Sequence, residues 1–253
     1  MALKTVREIL YGRQPVRECL RARRRHVHQL ILAEGVDEGG IVAEIVNLAK
    51  GLNLSVKRVP RLQLERVATA HQGVALEVAG YPYVDVADIL GRAHKLAEPP
   101  FILALDHVQD PHNLGALLRT AEVAGVHGVI IPNRRAAEVT PAVVNVSAGA
   151  SEHLPVAQVA NLVRGLESLK AAGLWVAGLD SSSQALPYYQ VDLNLPLVLV
   201  VGAEDQGLSR LVRETCDLLL SLPVRGQVQS LNASVAGGVA LYAALAARRF
   251  SAD

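Results

Sequence analysis

Five short apolar runs after Pro100 constrain the fold more than any other feature of this 253-residue chain: Phe101 to Leu105, Gly128 to Ile131, Leu174 to Leu179, Leu197 to Val201 and Leu218 to Leu222. None of them alternates with polar residues, so neither face of such a strand can meet water, and strands buried on both faces belong to parallel sheets. Helix-like segments separate most of them, at Leu114 to Ala124, Val159 to Ala171, Ser209 to Thr215 and Asn232 to Arg248. The order predicts an α/β domain with a parallel sheet and helices on both faces. Sheets of this kind bind ligands beyond the carboxyl ends of their strands, which directs attention to the loops after Leu105, Leu179, Val201 and Leu222.

Ahead of this domain the pattern is shorter and more polar. A helix is predicted over 6–20, a strand at Leu30 to Leu32, a helix from Ile41 to Lys50, a strand from Leu54 to Val59, a helix from Arg61 to Ala68 and a strand from Val74 to Val78. Residues 1–80 therefore read as a small α/β unit. Tyr81-Pro82-Tyr83 breaks the pattern, a helix follows from Val86 to Leu96, and Glu98-Pro99-Pro100 ends it, because residues before proline avoid helical dihedrals. The expected organisation is an N-terminal domain over 1–80, a linker over 81–97 and a catalytic domain over 98–253.

No apolar run reaches the roughly 18 residues of a membrane span, and Met1 to Leu10 lacks a signal-peptide core, so a cytoplasmic protein is expected. The only cysteines, Cys19 and Cys216, are far apart and without CxxC spacing, which argues against disulfides or a cysteine metal site. Charge is more informative. Residues 1–80 carry 13 Lys and Arg against 8 Asp and Glu, a balance of +5, whereas the remainder carries 12 against 16, a balance of −4. Arg13, Arg17, Arg21, Arg23, Arg24 and Arg25 form a basic run that a polyanion would meet first, although a solvated helix face is an equally simple reading.

Three loops could carry chemistry. The first, Asp106 to Gly115, contains Asn113, which is suited to capping a helix, and leads to Arg119 nearly two turns further on. His107, His112 and Asp106 cluster there without the spacing of a metal motif. The second, Gly202-Ala203-Glu204-Asp205-Gln206-Gly207, pairs backbone freedom with acidic side chains; that electrostatics repels phosphate and suits a ligand with a positive centre. The third runs from Pro223 to Ser234 into a helix containing Gly237-Gly238, glycines that each cost a helix about 1 kcal/mol and so imply a close approach by another backbone or a partner subunit. Taken singly, each loop also has a plain reading: a surface salt bridge for Arg119, an ordinary strand-to-helix turn for the second loop, and helix capping by Ser230 and Asn232 for the third.

Together and in this order, Asp110-Pro111-His112-Asn113-Leu114-Gly115 with Arg119, Gly202-Ala203-Glu204 through Gly207-Leu208, and Ser230-Leu231-Asn232-Ala233-Ser234 resemble the three motifs of the SpoU (TrmH) family in the SPOUT superfamily of RNA ribose methyltransferases. The resemblance covers residues 98–249. It extends more loosely to Tyr11-Gly12-Arg13-Gln14-Pro15-Val16 and His71-Gln72-Gly73-Val74, which look like the ribosomal-protein-like RNA-binding domain of bacterial 23S rRNA guanosine 2'-O-methyltransferases. The resemblance implies a SPOUT domain with a deep trefoil knot, S-adenosylmethionine held in the knot loops by Gly202, Leu222 and Leu231, and a homodimer; the residue spacings lead to no expectation of a metal. The resemblance also implies catalytic roles for Arg119, Asn113, Glu204, Ser230 and Asn232; from the basic run, RNA contacts are expected at Arg13, Arg21, Arg23, Arg24 and Arg25. Asp205-Gln206 departs from many relatives, which carry glycine or lysine there.

The function expected from this resemblance is methylation of a ribose 2'-hydroxyl in structured RNA, with a guanosine of 23S rRNA as the target. A tRNA ribose methyltransferase and a non-catalytic ribosome-assembly factor that kept the fold are the alternatives, and a dehydrogenase is disfavoured by the absence of GxGxxG. Guanidinium, with a pKa above about 12, is a poor proton acceptor. Arg119 is therefore expected to hold a phosphate beside the target ribose while that phosphate or a water takes the hydroxyl proton.

Overall fold

The computed structural model describes residues 7–204, 206–228 and 230–250, which leaves Asp205 of the second motif outside the described residues. The chain forms two compact units.

The first unit comprises residues up to Pro82 together with Val139–His153. Its elements are β1 (Arg7–Tyr11), α1 (Arg13–Ala22), β2 (Val27–Ala33), α2 (Gly40–Gly51), β3 (Ser55–Val59), α3 (Arg61–Glu65) and β4 (Val74–Ala79). The sheet order is β1-β4-β2-β3, with β2 and β3 parallel and β4 antiparallel to both its neighbours. The helix predicted over 6–20 is thus a strand followed by a helix. Glu8 to Leu10 suit either state locally, and pairing with β4 decides for the strand, the chain turning at Gly12 before α1 begins. Leu10, Val16, Leu20, Leu30, Leu32, Ile45 and Leu76 fill the core between sheet and helices.

Val139–His153 holds α6 (Pro141–Val146), capped by Thr140, and a 3-10 turn at Ala150–Glu152. Reading by sequence assigns this stretch to 98–253 and detects no helix in it; packing groups it with the first unit. Polar contacts explain why. The Arg25 side chain, 0% exposed, donates from Nε and Nη2 to the two oxygens of Glu152 at 2.9 and 2.8 Å, and from Nη1 to Glu8 at 2.7 Å. Its guanidinium lies 4.9 Å from the centre of the Tyr81 ring, whose hydroxyl donates to the Ser151 carbonyl at 2.9 Å. Burial pushes the Tyr81 pKa up to about 12, so this hydroxyl remains a donor.

The second unit runs from Tyr83 to Glu138 and resumes at Leu154. It contains α4 (Val86–Leu96), β5 (Phe101–Asp106), α5 (Pro111–Val123), β6 (Gly128–Pro132), β7 (Val156–Val159), α7 (Leu162–Ala171), β8 (Trp175–Leu179), β9 (Leu186–Pro187), β10 (Leu197–Gly202), α8 (Arg210–Thr215), β11 (Leu218–Ser221) and α9 (Ala233–Phe250). The seven strands lie in the order β7-β6-β5-β10-β8-β11-β9, and every pairing among them is parallel. β5, β6 and β10 are buried along their whole length, as their unbroken apolar runs require. Ile89 of α4 and Leu162, Leu166 and Leu169 of α7 pack on Ile102, Ile130, Val176, Val198 and Val200. β7 escapes the sequence pattern because it is four residues long and abuts Asn161, whose side chain caps α7 by accepting from the Arg164 N–H at 3.1 Å.

Helix α9 closes this unit. The carbonyls of Pro99, Pro100 and Leu195 all accept hydrogen bonds from the Arg248 guanidinium, which also stacks 4.7 Å from the Phe101 ring centre. Of the Gly237-Gly238 pair only Gly237 is explained here, by the Leu117 side chain rather than by another backbone. A Cβ on Gly237 would stand 2.5 Å from Leu117 Cδ2 on α5, so the glycine permits two helices to touch; at Gly238 the nearest atom would be 3.7 Å away, an ordinary contact. Among the described residues no helix is long and apolar enough to cross a membrane.

Candidate active site

Residues Asp106 and Gly202 are register partners at the carboxyl ends of β5 and β10, so the first and second motif loops leave the sheet side by side. The second loop is a closed turn. Ala203 and Gly207 exchange backbone hydrogen bonds at 3.1 and 2.9 Å, and Gly207 adopts φ +62°, a left-handed value that favours glycine. A Cβ at Gly202 would fall 2.2 Å from the Gly207 carbonyl carbon, so no side chain fits at this position.

Three motifs distant in sequence meet through one chain of hydrogen bonds. Asn113 Nδ2 donates to Glu204 Oε1 at 2.6 Å, and Asn232 Nδ2 donates to Asn113 Oδ1 at 3.0 Å. Asn232 Oδ1 in turn accepts from the Ser234 N–H at 2.9 Å, the Ser234 hydroxyl at 2.6 Å and the Val235 N–H at 3.3 Å, which caps α9. The carboxylate can only accept, so it fixes the orientation of both amides along the chain. Asn113 is 7% exposed and spends both ends of its amide here. It is not the helix cap expected from sequence: Asp110 caps α5 by accepting from the His112 N–H at 2.9 Å, with Pro111 at the first helical position. Capping by the third motif occurs as expected at Asn232, while Ser230 stands on the cavity wall.

Beyond the strand ends lies a cavity of about 300 Å³. Gly202, Leu222 and Leu231, the residues expected at the cofactor, all line it, and so do Glu204 and Ser230. Val201 and Leu220 add apolar wall; Asp180, Ser181 and Arg213 add a polar end that sequence reasoning did not single out. The Asp180 carboxylate is paired with Arg213 Nε at 2.8 Å and accepts from the Ser182 N–H at 2.7 Å. The only sequence signal for it was its place directly after a buried strand. A glycine cradle that a single Cβ would fill, apolar walls and the Glu204 carboxylate together fit an adenosine bearing a cationic sulfur. Arg119 does not line the cavity. It is exposed on α5 and has no hydrogen-bond or ion-pair partner among the described residues.

Neither cysteine offers a nucleophile: burial raises the Cys19 thiol well above its ordinary range and pushes Cys216 up to about 12. Among the described residues no group of three or more His, Cys, Asp or Glu side chains is arranged to hold a metal ion.

The basic run of the first unit is less free than its sequence implies. Arg17 and Arg21 both pair with Glu18 and Glu44. Arg13 reaches the Gln72 carbonyl at 3.3 Å and Arg24 the Glu152 carbonyl at 3.2 Å. Arg25, expected to contact RNA, is instead withdrawn from solvent, because two carboxylates stabilise its charge inside the unit. Arg23 alone of the run is exposed without a partner among the described residues. Combined replacement of Arg21 and Arg23 by alanine should therefore weaken RNA binding and lower the slope of log affinity against log salt by roughly 0.7–0.9 per lost phosphate contact. Filter binding across a salt series measures this, and an unchanged slope would mark the run as a solvated face.

Fold and site define an α/β domain whose motif loops surround a ligand cavity at the carboxyl ends of a parallel sheet. The family model of the SpoU rRNA Methylase family matches residues 100–242, and that of RNA 2'-O ribose methyltransferase substrate binding matches residues 9–84. The chain belongs to the SpoU rRNA methylase family. It is 43% identical over 236 residues to the TrmH family tRNA/rRNA methyltransferase YacO of Bacillus subtilis, covering 93% of this chain and 94% of that protein. A tRNA/rRNA methyltransferase of Mycolicibacterium vanbaalenii is 45% identical over 247 residues, covering 97% of this chain and 78% of that one. Among solved structures, the SpoU methyltransferase AviRb from Streptomyces viridochromogenes in complex with AdoMet superposes with a TM-score of 0.79 at 24% identity, covering 96% of this chain and 90% of its own. The TrmH/SpoU tRNA modifying enzyme of A. aeolicus gives 0.56 at 29% identity, covering 65% of this chain and 85% of its own.

Proposed function

We propose that this protein methylates the 2'-hydroxyl of a ribose in large-subunit ribosomal RNA, at a guanosine within a structured region. The observation that carries the reading is the hydrogen-bonded chain Glu204–Asn113–Asn232, which binds the three motifs into one site beside the Gly202 cavity. S-adenosylmethionine supplies a methyl group made electrophilic by a positively charged sulfur. Gly202, Leu222 and Leu231 hold it, and Glu204 favours its charge. Arg119, exposed on α5 and without a partner among the described residues, holds a phosphate beside the target ribose and so aligns the hydroxyl; alignment alone supplies several kcal/mol, up to about 7–11 in favourable cases. Ser230 and Asn232 keep the third motif in place around the substrate.

The separate N-terminal unit favours ribosomal RNA. The family model of RNA 2'-O ribose methyltransferase substrate binding matches residues 9–84, and the likeness to the A. aeolicus tRNA modifying enzyme covers only 65% of this chain. Two further features belong to the same reading: a trefoil knot in the catalytic domain, and a homodimer in the cytoplasm. Tyr189 and Tyr242, 64% and 50% exposed, border an apolar groove with Val239 that a second copy would cover. Mapping 2'-O-methyl marks on ribosomal and transfer RNA from cells lacking the gene tests the substrate. Loss of one guanosine mark in 23S rRNA, restored by the gene, is expected; loss of a tRNA mark instead would transfer the assignment to tRNA, and no lost mark would favour the assembly factor.

A further inference from the structure

Methyl transfer to a ribose leaves one chemical need unmet by the residues placed so far. The hydroxyl proton must go somewhere, and a guanidinium does not take it. Next to Asp106, at the carboxyl end of β5, stands an imidazole that none of the three motifs uses. His107 Nδ1 lies 2.6 Å from Asp106 Oδ1, while Asp106 Oδ2 accepts the Ser209 N–H at 2.6 Å. Asp106 is 1% exposed, whereas the His107 side chain is 40% exposed.

This geometry sets the tautomer. The Ser209 N–H is a fixed donor to one carboxylate oxygen, and the other oxygen requires a donor from the ring, so Nδ1 carries the proton and Nε2 presents its lone pair outward. A buried carboxylate that orients an imidazole in this way also stabilises the imidazolium formed when Nε2 takes a proton. His107 has φ +60°, a left-handed conformation that histidine adopts more readily than most residues with a side chain. Val108 beside it is 2% exposed, and its carbonyl accepts the Ala137 N–H at 2.8 Å, so the turn is anchored on both sides. Neither His107 nor Asp106 lines the cavity itself; they stand at its side, Asp106 being the register partner of the lining residue Gly202.

Competing groups are less suited. Glu204 already accepts from Asn113, and a proton on it would cancel the negative charge that the cavity offers to a cation. The remaining charged or titratable groups on the adjoining segments are Asp110 and His112 at the start of α5, Arg134, Arg135 and Glu138 on the stretch that carries Ala137, and, on and just after α8, Arg210 paired with Glu214, Arg213 paired with Asp180, and the Cys216 thiol. Among the described residues Asp106 alone is within hydrogen-bonding distance of the His107 ring.

We propose that His107 Nε2 is the proton acceptor for the ribose 2'-hydroxyl and that Asp106 is its positioning residue. As the 2'-oxygen bonds to the methyl carbon, the C–S electron pair stays on sulfur and the hydroxyl proton passes to Nε2. The positive charge thereby moves from the sulfonium to the imidazolium beside Asp106, and no further reactant is needed. The inference rests on the methyl-transfer reading, and the test separates the two.

His107→Asn is the informative variant, because asparagine tolerates the left-handed backbone but cannot take the proton. In single-turnover methylation of 23S rRNA fragments by the full-length protein, it should lose about 10²- to 10⁴-fold in rate. RNA and S-adenosylmethionine affinities should remain within about twofold, and the limb of the pH–rate profile that rises with pH in the wild type should disappear. Asp106→Asn should slow the reaction while His107 remains. The ¹⁵N shifts of the His107 ring, read without any turnover, should report Nδ1–H in the wild type and a shift toward Nε2–H in Asp106→Asn. A His107→Asn enzyme with an unchanged rate and pH profile, or a wild-type ring protonated on Nε2, would overturn the proposal. A wild-type protein that methylates no RNA would overturn the functional reading instead.

Discussion

Replacing Arg119 by alanine is expected to leave the fold and cofactor affinity unchanged and to reduce the single-turnover methylation rate at least about a hundredfold, the size of effect seen when a group acting in the transition state is removed. Folding should tolerate the change because Arg119 is exposed and unpaired among the described residues, and surface replacements of that kind usually stay within about 0.5 kcal/mol. Cofactor affinity should hold because the cavity is built from Gly202, Leu222, Leu231 and their neighbours, none of which contacts the Arg119 side chain in the hydrogen-bond network. What is lost is a planar fork able to grip a phosphate at two oxygens. Arg119→Lys keeps the charge and loses that fork, so it should recover little. Single-turnover assays with saturating RNA and cofactor isolate this step from binding. A near-normal rate for Arg119→Ala would remove the residue from the mechanism, and a fully active lysine variant would reduce its role to charge.

The division of labour between Arg119 and His107 also explains which parts of the site are legible in sequence. Asn113, Glu204 and Asn232 stand in three loops that the strand-end rule alone flags, and their chemistry is short-range: an amide, a carboxylate and a cap that need only be brought together. Buried parallel strands announced themselves as apolar runs, so the sheet that aligns those loops was readable too. His107 was visible only as part of a metal-like cluster, because its partner is a buried carboxylate whose second bond, to Ser209, lies 103 residues away. Asp180 was hidden for a similar reason, its ion pair with Arg213 joining two loops that no spacing links. Strand β1 was misread as helix since five residues carry little periodicity, and its antiparallel partner β4 lies more than sixty positions downstream, where no local pattern reaches. The basic run is legible only in part. Sequence counts charges but not their burial, and Arg25 differs from Arg23 through partners remote in sequence, above all Glu152, 127 residues further along the chain.

Removing Glu152 or Arg25 singly should therefore destabilise the first unit by about 3–5 kcal/mol, because each replacement strands the opposite charge in the interior. The two side chains are 1% and 0% exposed, and burial by itself disfavours the guanidinium charge; the Glu152 and Glu8 carboxylates outweigh that cost and hold the Arg25 pKa above its ordinary value. With Glu152→Ala the guanidinium keeps only Glu8 and the Ala79 carbonyl, at 2.7 and 3.3 Å. With Arg25→Ala the Glu152 carboxylate loses both of its charge-assisted bonds, and Cys19 beside it offers only a thiol whose pKa is raised by burial. The double variant Arg25→Met with Glu152→Leu removes both charges and keeps apolar volume, so it should regain much of the loss or exceed the wild type. Denaturant unfolding followed by a probe in the first unit measures all three. Recovery in the double variant would show that the cost lies in the stranded charge; equal losses in all three would show that the hydrogen bonds to Glu152, rather than charge compensation, hold Val139–His153 in the first unit.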